Sequence, residues 1–370
     1  RSSFLFTVAD ERTIHYGLGA IKGVGESAIE GIVEAREREG AYADLFDFCR
    51  RIDLRKCNRR VLESLIRAGA LDAFGSNRAT LMVQLPLALK MAEQHHAQQA
   101  AGQSDLFGLS EPQAAPSLGI IPDEVPEWSD EQRLRGEKET LGLFLTGHPI
   151  DAYEREIEAL LGSRLGTLSL DNGGPGYARK GKEVTVAGLV MTINKRNTQR
   201  GMMASVLLDD KSGRIEATFF SEAYERSHSL LRVDQVVVIQ GTLVHDDYRD
   251  HLGIRADGIW TFEQYRADRL NALELIDGTK ILRERGWGVP EFREQLPELL
   301  RPWCGGEVPV YIRYQRDDAQ AMVRLGEAWK IAPTDELLAA LRRVFGRDCL
   351  RFKVGVQAAS PMTARGSAAG

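Results

Sequence analysis

Between residues 182 and 262 apolar side chains recur at every second position, and no other stretch limits the available folds as strongly. Residues 184–190 read as a strand with Val184, Val186 and Val190 in it. Residues 204–210 read as a second strand, Lys211-Ser212-Gly213 as a turn, and 214–220 as a third strand. A helical stretch over 222–231 follows, then strands over 236–244 and 252–260. Three strands, a helix and two more strands is the order of an OB barrel, whose helix closes one end between strands three and four.

The flanking sequence has other periods, so the whole reads as a multidomain α+β protein. Residues 1–93 are mostly helical. Ala28, Ile29, Ile32 and Val33 share one helix face, and Asn58 caps a helix carrying Val61, Leu62, Leu65 and Ile66 before Gly69. A further helix begins at Asn77, and Pro86 should kink it. Residues 94–136 turn rich in Gly, Ser and Pro and read as a loose linker. Residues 137–181 form a helical connector and 182–265 the barrel domain. Residues 270–355 form a small α+β unit, with strands expected over 308–314, 321–325 and 329–332. Thr334 caps its last helix, and 356–370 read as a disordered tail. The chain opens on Arg1 rather than methionine, as expected of the C-terminal part of something longer.

Composition narrows the function classes. Of 370 residues, 43% are hydrophobic, and no apolar run approaches the roughly 18 residues of a membrane span. The four cysteines form no Cys-x-x-Cys pair, so a zinc ribbon or disulfide framework is not expected and a reducing cytoplasm fits. The net charge of −5 requires any nucleic-acid contact to come from local basic patches.

Four patches carry such chemistry. Lys22-Gly23-Val24-Gly25 opens a helix. As the turn of a helix-hairpin-helix, its free amides would hold a DNA phosphate. A purely structural hairpin is the competing reading; a dinucleotide turn would need a buried strand just before it. Arg50, Arg51, Arg55, Lys56, Arg59 and Arg60 form a basic cluster. Arg59 and Arg60 sit at a helix start, where cations are disfavoured unless an external anion compensates. The alternative is an ordinary solvated face. In the linker, Gln103, Asp105, Leu106 and Phe107 look like a peptide for a partner's pocket, against a satellite contact on the parent domain. On the barrel, Lys195, Arg196 and Arg200 are expected in the first loop and Phe219 as a base-stacking platform for a single strand. One of Phe219 and Phe220 must point into the core. His245 and His251 flank an acidic turn that could suggest a metal, but polar turn residues account for it. There is no Asp-x-Asp on a strand, no phosphate-binding Gly-Lys loop and no Gly-x-Ser-x-Gly elbow. No catalytic residue, metal ligand or cofactor site is expected in this chain.

Three stretches carry a family resemblance: residues 16–25 (Tyr-Gly-Leu-Gly-Ala-Ile-Lys-Gly-Val-Gly), 58–63 (Asn-Arg-Arg-Val-Leu-Glu) and 139–149 (Glu-Thr-Leu-Gly-Leu-Phe-Leu-Thr-Gly-His-Pro). In these and in module order the chain resembles the C-terminal part of the bacterial replicative DNA polymerase III alpha subunit. The resemblance implies that Gly23 and Gly25 lie in a duplex-contacting hairpin. It implies that Gln103, Leu106 and Phe107 belong to a peptide for the sliding clamp beta subunit. The barrel would bind single-stranded template, and 270–355 would hold the clamp-loader tau subunit. It implies a DNA-directed DNA polymerase working in the cytoplasm at the nucleoid, with catalytic aspartates and Mg in a palm upstream of Arg1. His148-Pro149 is a family marker read as a structural turn. Two other readings are a free-standing OB-fold protein binding single-stranded nucleic acid, and the error-prone relative of the same polymerase.

Overall fold

The computed structural model describes residues 2–100, 124–169, 181–246, 251–278, 289–315 and 320–354. The chain divides into two compact units, Arg1–Pro149 and Ile150–Gly370.

The first unit is helical. A short hairpin, β1 (Thr7–Val8) against β2 (Ile14–His15), precedes α1 (Glu26–Glu39). Helix α2 (Leu45–Arg51) starts at Asp44, whose carboxylate accepts the Asp47 N–H at 2.8 Å. In α3 (Arg59–Arg67) the Asn58 side chain accepts the Val61 N–H at 3.2 Å, the cap the sequence predicts. Gly69 then turns the chain at φ +75°, where a Cβ would also lie 2.1 Å from the Arg78 guanidinium, so both conformation and space call for glycine. Helix α4 (Arg78–Ala100) contains Pro86 and continues beyond it. Helix α5 (Asp130–Leu141) is capped by Ser129. Residues 94–100 and 130–136, expected in the loose linker, are therefore helical. Ile29, Leu62 and Ile66 are wholly buried in the core, with Leu45, Phe48, Leu65, Leu81 and Leu85 almost so. Each such side chain contributes about 1.5–3 kcal/mol, an upper estimate.

The second unit begins with α6 (Glu154–Leu160). Five strands follow: β3 (Lys182–Thr198), β4 (Gly201–Asp209), β5 (Arg214–Phe219), β6 (Val236–Asp246) and β7 (His251–Thr261). They close a barrel in the order β3-β4-β5-β7-β6, through a parallel β5–β7 pairing. Helix α7 (Ser221–Ser227) lies between the third and fourth strands, as an OB barrel requires. On β4 the alternation is clean: Ala204, Val206 and Leu208 have no exposure, while Ser205 and Leu207 are half-buried. Strand β3 runs eight residues past its expected end at Val190. The predicted cationic loop is therefore a β-arm whose turn is only Gln199 and Arg200.

Beyond the barrel, α8 (Phe262–Arg269) is held by a reciprocal cap between Thr261 and Gln264 and leads into β8 (Leu270–Gly278). Then come α9 (Val289–Leu300), β9 (Cys304–Val308), β10 (Val310–Gln315), β11 (Gln320–Arg324), α10 (Asp335–Phe345) and β12 (Leu350–Val354). The sheet order is β11-β10-β8-β12, with β8 and β10 parallel. Thr334 caps α10 as expected. The strand expected over 329–332 does not form. Residues Glu327–Trp329 make a 3-10 turn and only Ile331 bridges, to Cys304 and Val308.

Candidate nucleic-acid interfaces

The hairpin over residues 18–25 is built from backbone conformation. Leu18–Ala20, just before the turn, is a single 3-10 turn. Ile21 and Val24 are buried, and the Val24 N–H bonds the Ile21 carbonyl at 3.2 Å. Gly23 turns the chain at φ +83°, and Gly25 is the N-cap of α1 with no side chain capping it. Gly25, Glu26 and Ser27 are exposed, while Ala28 and Ile29 donate to the Gly25 carbonyl. The first-turn amides and the positive end of the helix dipole thus face solvent, with exposed Lys22 beside them. A phosphate would find N–H donors and a cation here and no base-reading group.

The basic cluster separates into structural and available cations. Arg51 is structural: it donates to the Ala35 and Gly40 carbonyls at 2.8 Å and lies 4.3 Å over the Tyr42 ring. Arg50 pairs with Asp47 at 2.7 Å, Arg55 with Asp53 at 3.1 Å and Arg59 with Glu63 at 2.8 Å. The bonds from Arg50 and Arg55 hold Asp47 and Asp53 below the ordinary carboxylate range. The Glu63 pair explains how Arg59 tolerates a helix start without an external anion. Lys56 and Arg60 are exposed and carry no ion pair among the described residues. Exposed pairs of this kind are weak, so Arg55 and Arg59 could exchange their partners for phosphate at little cost.

On the barrel, strand register sorts the predicted residues. Asn194 stands opposite Ser205, Ser205 opposite Thr218, and Thr218 opposite Arg255. This polar row crosses four strands on the outer face. Arg196 stands opposite Met203 on the same face. Lys195 stands opposite buried Ala204, and its ammonium lies 5.9 Å from the Tyr224 ring centroid. Adjacent Lys195 and Arg196 therefore serve opposite sides of the arm. Arg200 is exposed in the turn, where its carbonyl accepts the Ser221 hydroxyl and ties the arm to α7.

Phe219 is not a platform. It has no exposure, pairs with Ala204 and sits in the barrel core, because inward positions on β5 are Ile215, Ala217 and Phe219. Phe220, 52% exposed, is the aromatic available to a base. Phe220 enters the sequence analysis only as the alternative to Phe219, although the period of two along β5, counted forward from Ile215, puts Thr218 and Phe220 on the outward side; Arg255 is on β7 and joins the row only through the β5–β7 pairing. The peptide Gln103, Asp105, Leu106 and Phe107 lies outside the described residues, as does the turn between His245 and His251. Among the described residues no three His, Cys, Asp or Glu side chains are grouped to hold a metal, and no helix is long and apolar enough to cross a membrane.

Comparison with known proteins places these features in context. Residues 1–81 match the helix-hairpin-helix motif, 184–261 the OB-fold nucleic acid binding domain, and 295–346 the C-terminal domain of DNA polymerase III subunit alpha. The chain is 40% identical to a DNA polymerase III subunit alpha from Vibrio cholerae, over 93% of its own length and 29% of that protein's. Corresponding figures are 39%, 94% and 30% for Pseudomonas aeruginosa, and 38%, 93% and 28% for Escherichia coli K12. The chain thus spans less than a third of these relatives. Among solved structures, a second single-stranded DNA binding protein from Mycobacterium smegmatis aligns with 23% of this chain and 92% of its own, at 14% identity and a TM-score of 0.21.

Proposed function

We propose that this chain, which corresponds to the C-terminal region of DNA polymerase III alpha subunits, is the part of such a polymerase that grips DNA and docks its partners. The observation carrying this reading is the continuous similarity over 93% of the chain, with a helix-hairpin-helix, an OB fold and the polymerase's own C-terminal module in sequence.

On this reading the hairpin 22–25 takes a duplex phosphate, and Lys56 and Arg60 extend the electrostatic contact. The outer barrel face, with Arg196, Phe220, Thr218 and Arg255, takes single-stranded template by backbone tracking and base stacking. Gln103, Leu106 and Phe107 engage the sliding clamp, and residues 270–355 engage the clamp-loader tau subunit. Nucleotidyl transfer and its Mg belong to parts of the whole polymerase outside these residues. Tethering to a clamp turns each rebinding into an intramolecular event, which is how docking would support long synthesis.

The test is a titration of the chain against a primer–template junction, a blunt duplex and a single strand, with and without purified sliding clamp. The junction should bind more tightly than either form alone, and affinity should fall steeply with salt. The L106A/F107A double variant should keep DNA affinity and lose the clamp. Absence of DNA binding at low salt would reject the gripping role; undiminished clamp binding by the variant would reject the peptide.

A further inference from the structure

The stretch from Leu141 to Pro149 stood out in the sequence without a role, and the structure organises it around one buried carboxylate. Glu137 on α5 has no exposure. It accepts the Leu145 N–H at 2.7 Å, the Thr146 N–H at 3.0 Å, the Thr146 hydroxyl at 2.8 Å and the Arg78 guanidinium at 2.9 Å. Arg78, itself 3% exposed, also bonds Asp72 at 2.7 Å and the Arg67 carbonyl at 3.3 Å. Burying such a pair is costly unless it is well hydrogen-bonded, and here both carboxylate oxygens of Glu137 and all three guanidinium nitrogens of Arg78 have partners. These bonds anchor the backbone of Leu145 and Thr146 to α5.

That backbone holds apolar side chains in water. Gly142 ends α5 at φ +77°, and the chain then presents Leu143 at 40% and Leu145 at 54% exposure. Phe144 between them is half-buried, 5.1 Å beneath the Lys138 ammonium. Both leucines are exposed and neither joins the core of the first unit. Their neighbour is the phosphate-binding hairpin: the Thr140 carbonyl, at the end of α5, accepts the Lys22 N–H at 2.8 Å.

We propose that loop 142–146 is a second contact on duplex DNA, an apolar tip that seats Leu143 and Leu145 in the minor groove beside the phosphate held by hairpin 22–25. The proposal rests on the duplex-gripping reading above. Apolar side chains, leucine among them, are a recurrent device for minor-groove contact. The hairpin supplies the register that an apolar contact lacks. Glu137 and Arg78 act as positioning residues, since neither reaches the surface of the loop.

The test uses the full chain and fluorescence anisotropy with a short blunt duplex, at several salt concentrations. The L143S/L145S variant should bind roughly tenfold more weakly, the factor that about 1.4 kcal/mol represents. The slope of log affinity against log salt should not change, because an apolar contact releases no counterions. K22A should instead flatten that slope by about 0.9. Single-strand affinity should be unchanged in L143S/L145S. Should the double variant lose its thermal transition, L145A alone, at the more exposed leucine, carries the test with roughly a threefold loss. Wild-type duplex affinity in the leucine variant, with K22A weakened, overturns the proposal and leaves the hairpin reading standing; the leucines then face a protein. Wild-type affinity in both variants overturns the hairpin reading and the proposal with it. A flattened salt slope in the leucine variant also overturns the proposal.

Discussion

Arg266 donates its Nε–H to Glu156 at 2.6 Å, and neither side chain has any exposure. The same guanidinium donates to the Pro333 carbonyl and to Asp335, both at 2.6 Å. The other Glu156 oxygen accepts from Arg342 at 2.7 Å, and the Tyr153 hydroxyl donates to Asp335 at 2.7 Å. Within the second unit, one side chain on α8 thus joins the connector helix α6 to the cap of α10. Burial is the main force on Tyr153, and with Asp335 beside it the phenol is pushed well above its ordinary range.

Arg266→Met should therefore cost about 3–5 kcal/mol, because it strips a buried carboxylate of one partner. The lower end is expected, since Arg342 still pairs with Glu156. Denaturant unfolding of the full chain checks this. The R266M/E156L double variant should recover much of the loss. An R266M chain as stable as wild type would show that the cluster is not holding these elements together.

Phe219 and Phe220 should separate stability from binding. Phe219→Ala empties part of the barrel core and should lower stability by about 3–5 kcal/mol. Phe220→Ala should leave the thermal midpoint within about a degree or two, as an exposed substitution does. It should weaken single-strand binding by roughly 1–3 kcal/mol, the range for one lost stacking contact. Calorimetry and oligonucleotide titration read the two effects independently.

Glu137 makes the first unit sensitive to acid. Burial alone would raise its carboxyl, but the Thr146 and Leu145 amides, the Thr146 hydroxyl and Arg78 outweigh burial and hold it below the ordinary 4.5. A carboxyl depressed in the folded state contributes fully above its unfolded value. That contribution fades as pH falls below about 4.5 toward the depressed value. Glu137→Gln should be less stable at neutral pH and show a flatter acid dependence. Equal slopes in the two proteins would remove Glu137 from the account.

Thiol labelling should discriminate sharply among the cysteines. Burial pushes the Cys49 thiol up to about 12 and Cys57 to about 11, so both are poor nucleophiles at neutral pH. Cys349 is 1% exposed. Cys304, half-buried on β9, should react first with an alkylating reagent in the native protein, and Cys49 only after unfolding. Mass spectrometry of timed digests gives the order.

What could be read without coordinates was what local rules govern. The Asn58 and Thr334 caps, the helix faces and the barrel's strand order follow from spacing and side-chain hydrogen bonding within a few residues. The misses have non-local causes. Strand β8 contains Asn271 and Glu274, a poor match to a period-two strand, and Glu274 is buried only because Arg313 and Lys353 from neighbouring strands neutralise it. The β3 arm carries Asn194, Lys195, Arg196 and Asn197, which read as loop. Pairing with the apolar Met202, Met203 and Ala204 on β4 makes them strand. Phe219 and Phe220 could not be told apart by residue type, only by counting the alternation from one fixed inward position. Likewise nothing in the spacing of Glu137 and Arg78 announces that they meet.

Strand β8 lies between β10 and β12, and both of its neighbours come later in the chain. During synthesis the centre of this sheet therefore leaves the ribosome with neither edge satisfied. It must wait for Leu350 to Val354 before its last edge is covered. A chain ending before Leu350 would leave its central strand with one edge open as a template for other copies of itself, so truncation there should yield aggregates rather than a merely shortened protein.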